Sequence, residues 1–165
     1  MLAQVSRQQI GTLENCPIYA VEKFGVLRVE WVAKMAVCCD GLPRNDYDDP
    51  CWQAQTAYYN GGKYLDPERV PYIVVPPMII EGVDPSVLGC QGAIINLRNG
   101  LSTPAICGET GPDDKIGEAA MIAAERVGLS PDPNDGGTDE HIICYAIWPG
   151  IPAIVDGITY KLQSS

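Results

Sequence analysis

AIINLRNGLSTPAIC, residues 93–107, sets two apolar runs on either side of Arg98-Asn99-Gly100. Asn-Gly between apolar runs is the strongest local hairpin signal, because both residues accept the positive φ that a tight turn demands. The spacing therefore predicts paired strands over 93–97 and 103–107. Working outward, 24–37 (FGVLRVEWVAKMAV) is dense in aliphatic and β-branched residues and reads as strand. Residues 72–75 form a short apolar run that stops at Pro76-Pro77, and 142–148 read as a further strand. Between these lie the long acidic loop CCDGLPRNDYDDPCW (38–52) and a second loop, SPDPNDGGTDE (130–140). One helix is predicted over 115–127, where Ala, Met and Glu abound and Gly128 supplies the stop. Ile116, Ala119, Ala120, Ala123 and Val127 share its apolar stripe, with Asp113 or Asp114 as N-cap.

Composition supports a single domain over residues 1–165 that is mostly β. Hydrophobic residues make up 46% of the 165, enough for one core, and 17 Gly with 14 Pro argue for many turns and short strands. The net charge of −10 repels phosphate backbones, which disfavours nucleic acid, and attracts a polycation. No apolar run approaches the roughly 20 residues that cross a bilayer, so no membrane partner is expected. No hydrophobic signal core is visible in residues 1–9. The seven cysteines (16, 38, 39, 51, 90, 107 and 144) include no CxxC pair, and His141 is the single histidine. A metal site is therefore not expected, while disulfides in an oxidising setting are, with connectivity open and at least one thiol left over.

Two carboxylates stand out. Glu109 lies where the second hairpin strand runs into Gly-Glu-Thr-Gly-Pro, and Glu118 follows nine residues later at the start of the predicted helix. A strand end beside a helix start can hold two acids across a cleft, as glycoside hydrolysis requires. The helix position carries a tension: a helix N-terminus favours the ionised form, whereas a general acid keeps its proton. No nucleophile elbow, P-loop or dinucleotide motif competes.

Four segments resemble the chitosanases of glycoside hydrolase family 75: KMAVCCDG (34–41), DDPCWQAQT (48–56), VPYIVVPP (70–77) and GETGPDDKIGEAAMIAAERVGLSPDPNDGG (108–137). The resemblance is strongest over 34–148. It implies a compact six-stranded double-psi-like β-barrel with the helix packed against it. It further implies an endo-acting, inverting hydrolysis of β-1,4 glucosaminide bonds in chitosan, without cofactor, by an extracellular monomer. The family's catalytic Gly-Asp-x-Gly-Pro maps onto Glu109, where this chain has Glu for Asp, and its Ile-Gly-Glu onto Glu118. Glu118 is then the general acid and Glu109 the general base, with carboxyl groups about 6.5–9.5 Å apart. Cys38 stands where the family commonly has Asp. Asp40, Asp48 and Asp49 are candidates for the substrate's ammonium groups, Trp52, Tyr58 and Tyr59 for sugar stacking, and Gln53, Thr56 and Lys34 for further substrate contacts or support. The alternatives are a hydrolase of another β-linked glycan and a catalytically weakened carbohydrate-binding protein.

Overall fold

A computed structural model of the chain describes residues 4–83 and 86–163. Three strands at the N-terminus form a meander: β1 (Val5–Leu13), β2 (Cys16–Lys23) and β3 (Val26–Cys38). Their connections are two-residue turns, Glu14-Asn15 and Phe24-Gly25, with φ positive at both residues of each. Such turns match the right-handed twist of the strands they join. The strand predicted over 24–37 thus starts at Val26, because Phe24 and Gly25 make the turn. β1 and β2 carry too few regularly spaced apolar residues to announce themselves in the sequence.

A small hairpin follows, β4 (Tyr59–Asn60) with β5 (Lys63–Tyr64), and then β6 (Tyr72–Val75), α1 (Pro77–Val83), β7 (Cys90–Asn96) and β8 (Ser102–Thr110). The predicted hairpin is β7–β8, antiparallel with Ile95 opposite Ser102, and Gly100 in its turn has φ +77. Strand β6 occupies the predicted 72–75, and α1 begins at Pro77, where a missing N–H costs nothing. Next come β9 (Glu118–Ala120), α2 (Met121–Arg126), the long β10 (Thr138–Pro152), and a last hairpin, β11 (Ile154–Val155) with β12 (Ile158–Thr159).

Six strands close into a barrel in the order β3-β10-β7-β8-β6-β9 and back to β3. The molecule is thus mostly β with a closed six-stranded barrel, the architecture expected from the resemblance. Closure is made by the parallel β3–β9 ladder, Ala36 to Glu118 through Cys38 to Ala120. Strands β1 and β2 continue the sheet outside the barrel from the edge of β3.

The helix predicted over 115–127 is corrected. Residues 118–120 are strand, and only Met121–Arg126 is helix. Gly117 has φ +86, outside the helical region, and its carbonyl accepts Ala36 N–H at 2.8 Å. Barrel closure has captured three residues whose intrinsic preference is helical. The helix N-cap is Ala120, without a side-chain cap, so neither Asp113 nor Asp114 serves there. The predicted stop holds: Gly128 has φ +81.

Two apolar clusters follow from strand alternation. Val37, Ile73, Val75, Cys107 and Ala119 belong to the main core, with Trp31, Ile94, Ile143 and Tyr145. Cys38, Tyr72, Val74, Ile106 and Ala120 face the other way and join a second cluster with Tyr58, Leu65 and Val155. The loop between β3 and β6 and the C-terminal hairpin cover that outer wall. The seven cysteines are free thiols, and Cys90 and Cys107 face each other in the interior with sulfurs 3.5 Å apart. Among the described residues no helix is long and apolar enough to cross a membrane.

Candidate active site

Val74 on β6 pairs with Glu109 of β8 on one side and with Glu118 of β9 on the other. Partners in register point to the same face of a sheet, so both acids rise from the wall that carries the second cluster. Their backbones are two strand spacings apart, about 9.5 Å. The β6–β8 register slips between Ile73 and Val74, which takes Gly108 out of the pairing and brings Glu109 onto this face. Only glycine fits at 108, since a Cβ would overlap the Leu65 side chain and touch Tyr72.

Glu109 is 5% exposed. Its Oε1 accepts N–H bonds from Ala57 at 2.9 Å and from Thr110 at 3.0 Å. Burial, reinforced by a hydrogen bond to the Asp40 side chain and by the Asp40 charge, pushes its carboxyl up to about 8; the two backbone N–H groups oppose this. Glu118 is half-buried, and burial, with the charges of Asp40 and Asp49, pushes it up to about 7. A hydrogen bond with the Cys38 thiol and the Lys34 charge pull the other way. Because Glu118 lies in strand β9, the tension expected from a helix N-terminus does not arise.

Asp40 follows β3 and sits between the two glutamates electrostatically. Its Oδ1 accepts Gln53 N–H at 2.8 Å, and its carbonyl accepts the buried Tyr72 hydroxyl at 2.7 Å. The segment 53–57 therefore clips both acids with main-chain amides, Gln53 to Asp40 and Ala57 to Glu109. Gly41 donates its N–H back to the Gln53 carbonyl at 3.0 Å.

The remaining expected residues divide. Asp49 lies near enough to raise Glu118; its Oδ1 accepts Cys51 N–H at 2.9 Å and its Oδ2 a bond from the Cys39 thiol at 3.5 Å. Asp48 is exposed with φ +51, and its N–H bonds Asn45 as part of a turn. Thr56 is corrected from substrate contact to support: it is 4% exposed, donating to the Tyr58 carbonyl at 2.7 Å and accepting Leu65 N–H at 3.1 Å. Trp52 packs on the core and donates its indole N–H to the Leu42 carbonyl at 3.0 Å, which ties the loop down. Tyr58 is corrected likewise, being 1% exposed in the second cluster. Tyr59 is exposed and leans on Tyr64 at a centroid distance of 4.7 Å. Gln53 has an exposed side chain, and Lys34 pairs with Glu14 at 3.4 Å.

Sequence reasoning missed Tyr72, the amides of Gln53 and Ala57, and Glu14. Glu14 accepts Ile116 N–H at 2.8 Å and so fixes the approach to Gly117-Glu118 from the β1–β2 turn. Main-chain donors have no side-chain signature. Tyr72 read only as part of an apolar run.

Among the described residues no three His, Cys, Asp or Glu side chains are grouped to hold a metal ion. A groove of ≈ 550 Å³ between the β4–β5 and β11–β12 hairpins is lined by Tyr64, Lys63, Arg69 and Tyr160 among others, and contains neither glutamate. Chemically, the site offers two carboxyl groups that titrate near neutrality on one wall, separated by a strand. No protein-family model matches the chain, and no curated protein matches it.

Proposed function

We propose that the protein is an endo-acting chitosanase, cutting β-1,4 glucosaminide bonds by an inverting mechanism without a cofactor. The observation that carries this reading is the pair Glu109 and Glu118 flanking Val74, both held well above the usual carboxylate range. Glu118 protonates the glycosidic oxygen while Glu109 takes a proton from a water attacking the anomeric carbon from the opposite face. Strands two spacings apart leave room for that water, which supports inversion over a covalent intermediate.

The substrate is the polycation chitosan, drawn by the net charge of −10 and met at the site by Asp40 and Asp49. Tyr59 and Gln53 are the exposed groups that would touch neighbouring sugars. Secretion of a monomer is part of the same proposal, as a polymeric substrate lies outside the cell.

Reducing-end release from chitosan by wild type and Glu118→Gln tests the reading. The expected outcome is release by wild type and a loss of at least about 10³-fold in kcat for a folded variant. Faster release from chitin or a cellulose derivative would redirect the substrate class to another β-linked glycan. Chitosan binding without release by either form would mean a carbohydrate-binding protein.

A further inference from the structure

Two carboxyl groups held at hydrogen-bonding distance need a proton between them, because neither has one to donate when both are ionised. Asp40 and Glu109 are such a pair. Each also has one oxygen committed to the main chain: Asp40 Oδ1 to Gln53 N–H, Glu109 Oε1 to the N–H groups of Ala57 and Thr110. The Asp40 backbone is fixed in turn by the Tyr72 hydroxyl on its carbonyl. The contact is therefore built from three elements: the end of β3, the clip at 53–57, and β8. Around it stand Cys38 on β3, Tyr72 on β6, Glu118 on β9, and Asp49 and Cys39 in the loop. Lys34, further back along β3, is the cation whose charge reaches Glu118.

We propose that Asp40 and Glu109 share one proton and work as a single basic unit, with Asp40 a positioning residue that acts through Glu109. This deepens the hydrolase reading and rests on it for the chemical step. It removes a difficulty in that reading, where two carboxyl groups both prone to stay protonated leave no base. The pair carries one negative charge while still holding a proton.

In the step, the water oxygen forms its bond to the anomeric carbon and the carbon–oxygen bond to the leaving sugar breaks. The water's proton joins the pair, which becomes neutral, and Glu118 gives its proton to the leaving oxygen and becomes the anion. The total charge of the three groups stays at −1, and exchange with solvent returns the proton to Glu118.

Carbon-13 NMR titration of the carboxyl groups in wild type tests the pairing without using activity. Resonances of Asp40 and Glu109 that each report the same two titration steps support it; independent single midpoints overturn it. In Asp40→Asn, whose Oδ1 still accepts Gln53 N–H, the Glu109 midpoint falls by at least about one pH unit. An unmoved midpoint overturns the proposal. On chitosan, the same variant loses at least about 10²-fold in kcat with KM within about threefold, and Asp40→Glu recovers part of the loss. A raised KM with unchanged kcat would make Asp40 a substrate contact only and overturn the proposal. Shared titration steps in a wild-type protein that releases no sugar would uphold the pair and remove the hydrolase reading instead.

Discussion

At the residue scale, the substitution that departs most from the resembling family is Cys38. An aspartate there would put a carboxylate against Glu118, and repulsion would drive the Glu118 proton affinity higher. The thiol does the opposite. Burial holds Cys38 far above the ordinary thiol range, so it stays protonated and donates to Glu118. Cys38→Ala removes that donor. The expected result is an upward shift of the basic limb of the pH–activity profile, with plateau kcat changed by less than about threefold. A limb that stays in place would show that the thiol does not tune Glu118. Glu109, one methylene longer than the family's aspartate, fits its wall because Gly108 drops out of the register and two backbone amides seize Oε1.

At the scale of elements, β9 is where sequence and structure part. Glu118-Ala119-Ala120 prefers helix, and nothing within the segment says otherwise except Gly117. Its φ of +86 turns the chain into the barrel, and a Cβ at 117 would lie 2.5 Å from the Lys34 carbonyl. Gly25 has nearly the same φ, +82, with open space around it. Gly25→Ala should thus cost only the left-handed penalty, about 1 kcal/mol, and Gly117→Ala about 2–4 kcal/mol. Denaturant midpoints of the two variants measure the difference; equal losses would mean that the β3–β9 seam yields to the extra carbon. The β7–β8 hairpin and β6 were legible because Asn99-Gly100 and Pro76-Pro77 punctuate apolar runs. The polar β1 was not, since its strand character comes from pairing with β2. Both glutamates were legible as candidates from Gly-Glu-Thr-Gly-Pro and Ile-Gly-Glu. Their common neighbour Val74 was not, because register is a property of three strands at once.

For the whole molecule, the site works against folding. Glu109 carries a folded-state value of about 8 against an ordinary 4.5. The unfolded chain gives up that proton as pH rises through 4.5, while the folded chain keeps it until about 8. The contribution of this group to stability is therefore fully present below pH 4.5 and is lost progressively as pH rises to about 8. Glu109→Gln keeps an acceptor for Ala57 and Thr110 and offers Asp40 a permanent donor. It should match wild type near pH 4 and exceed it by about 1–2 kcal/mol at pH 8.5, a rise of a few degrees in Tm. Thermal melts at the two pH values read this directly, and a variant less stable than wild type at pH 8.5 would refute it.

The three residues of β9 join β6 to β3 and also carry Glu118. The barrel's last seam and its acid are thus one piece of chain. A mutation that merely loosens this wall would look, in any assay of turnover, like damage to the chemistry itself. The segment has no freedom to drift in sequence as an ordinary edge strand can. Selection for a shut barrel and selection for a placed proton fall on the same three positions.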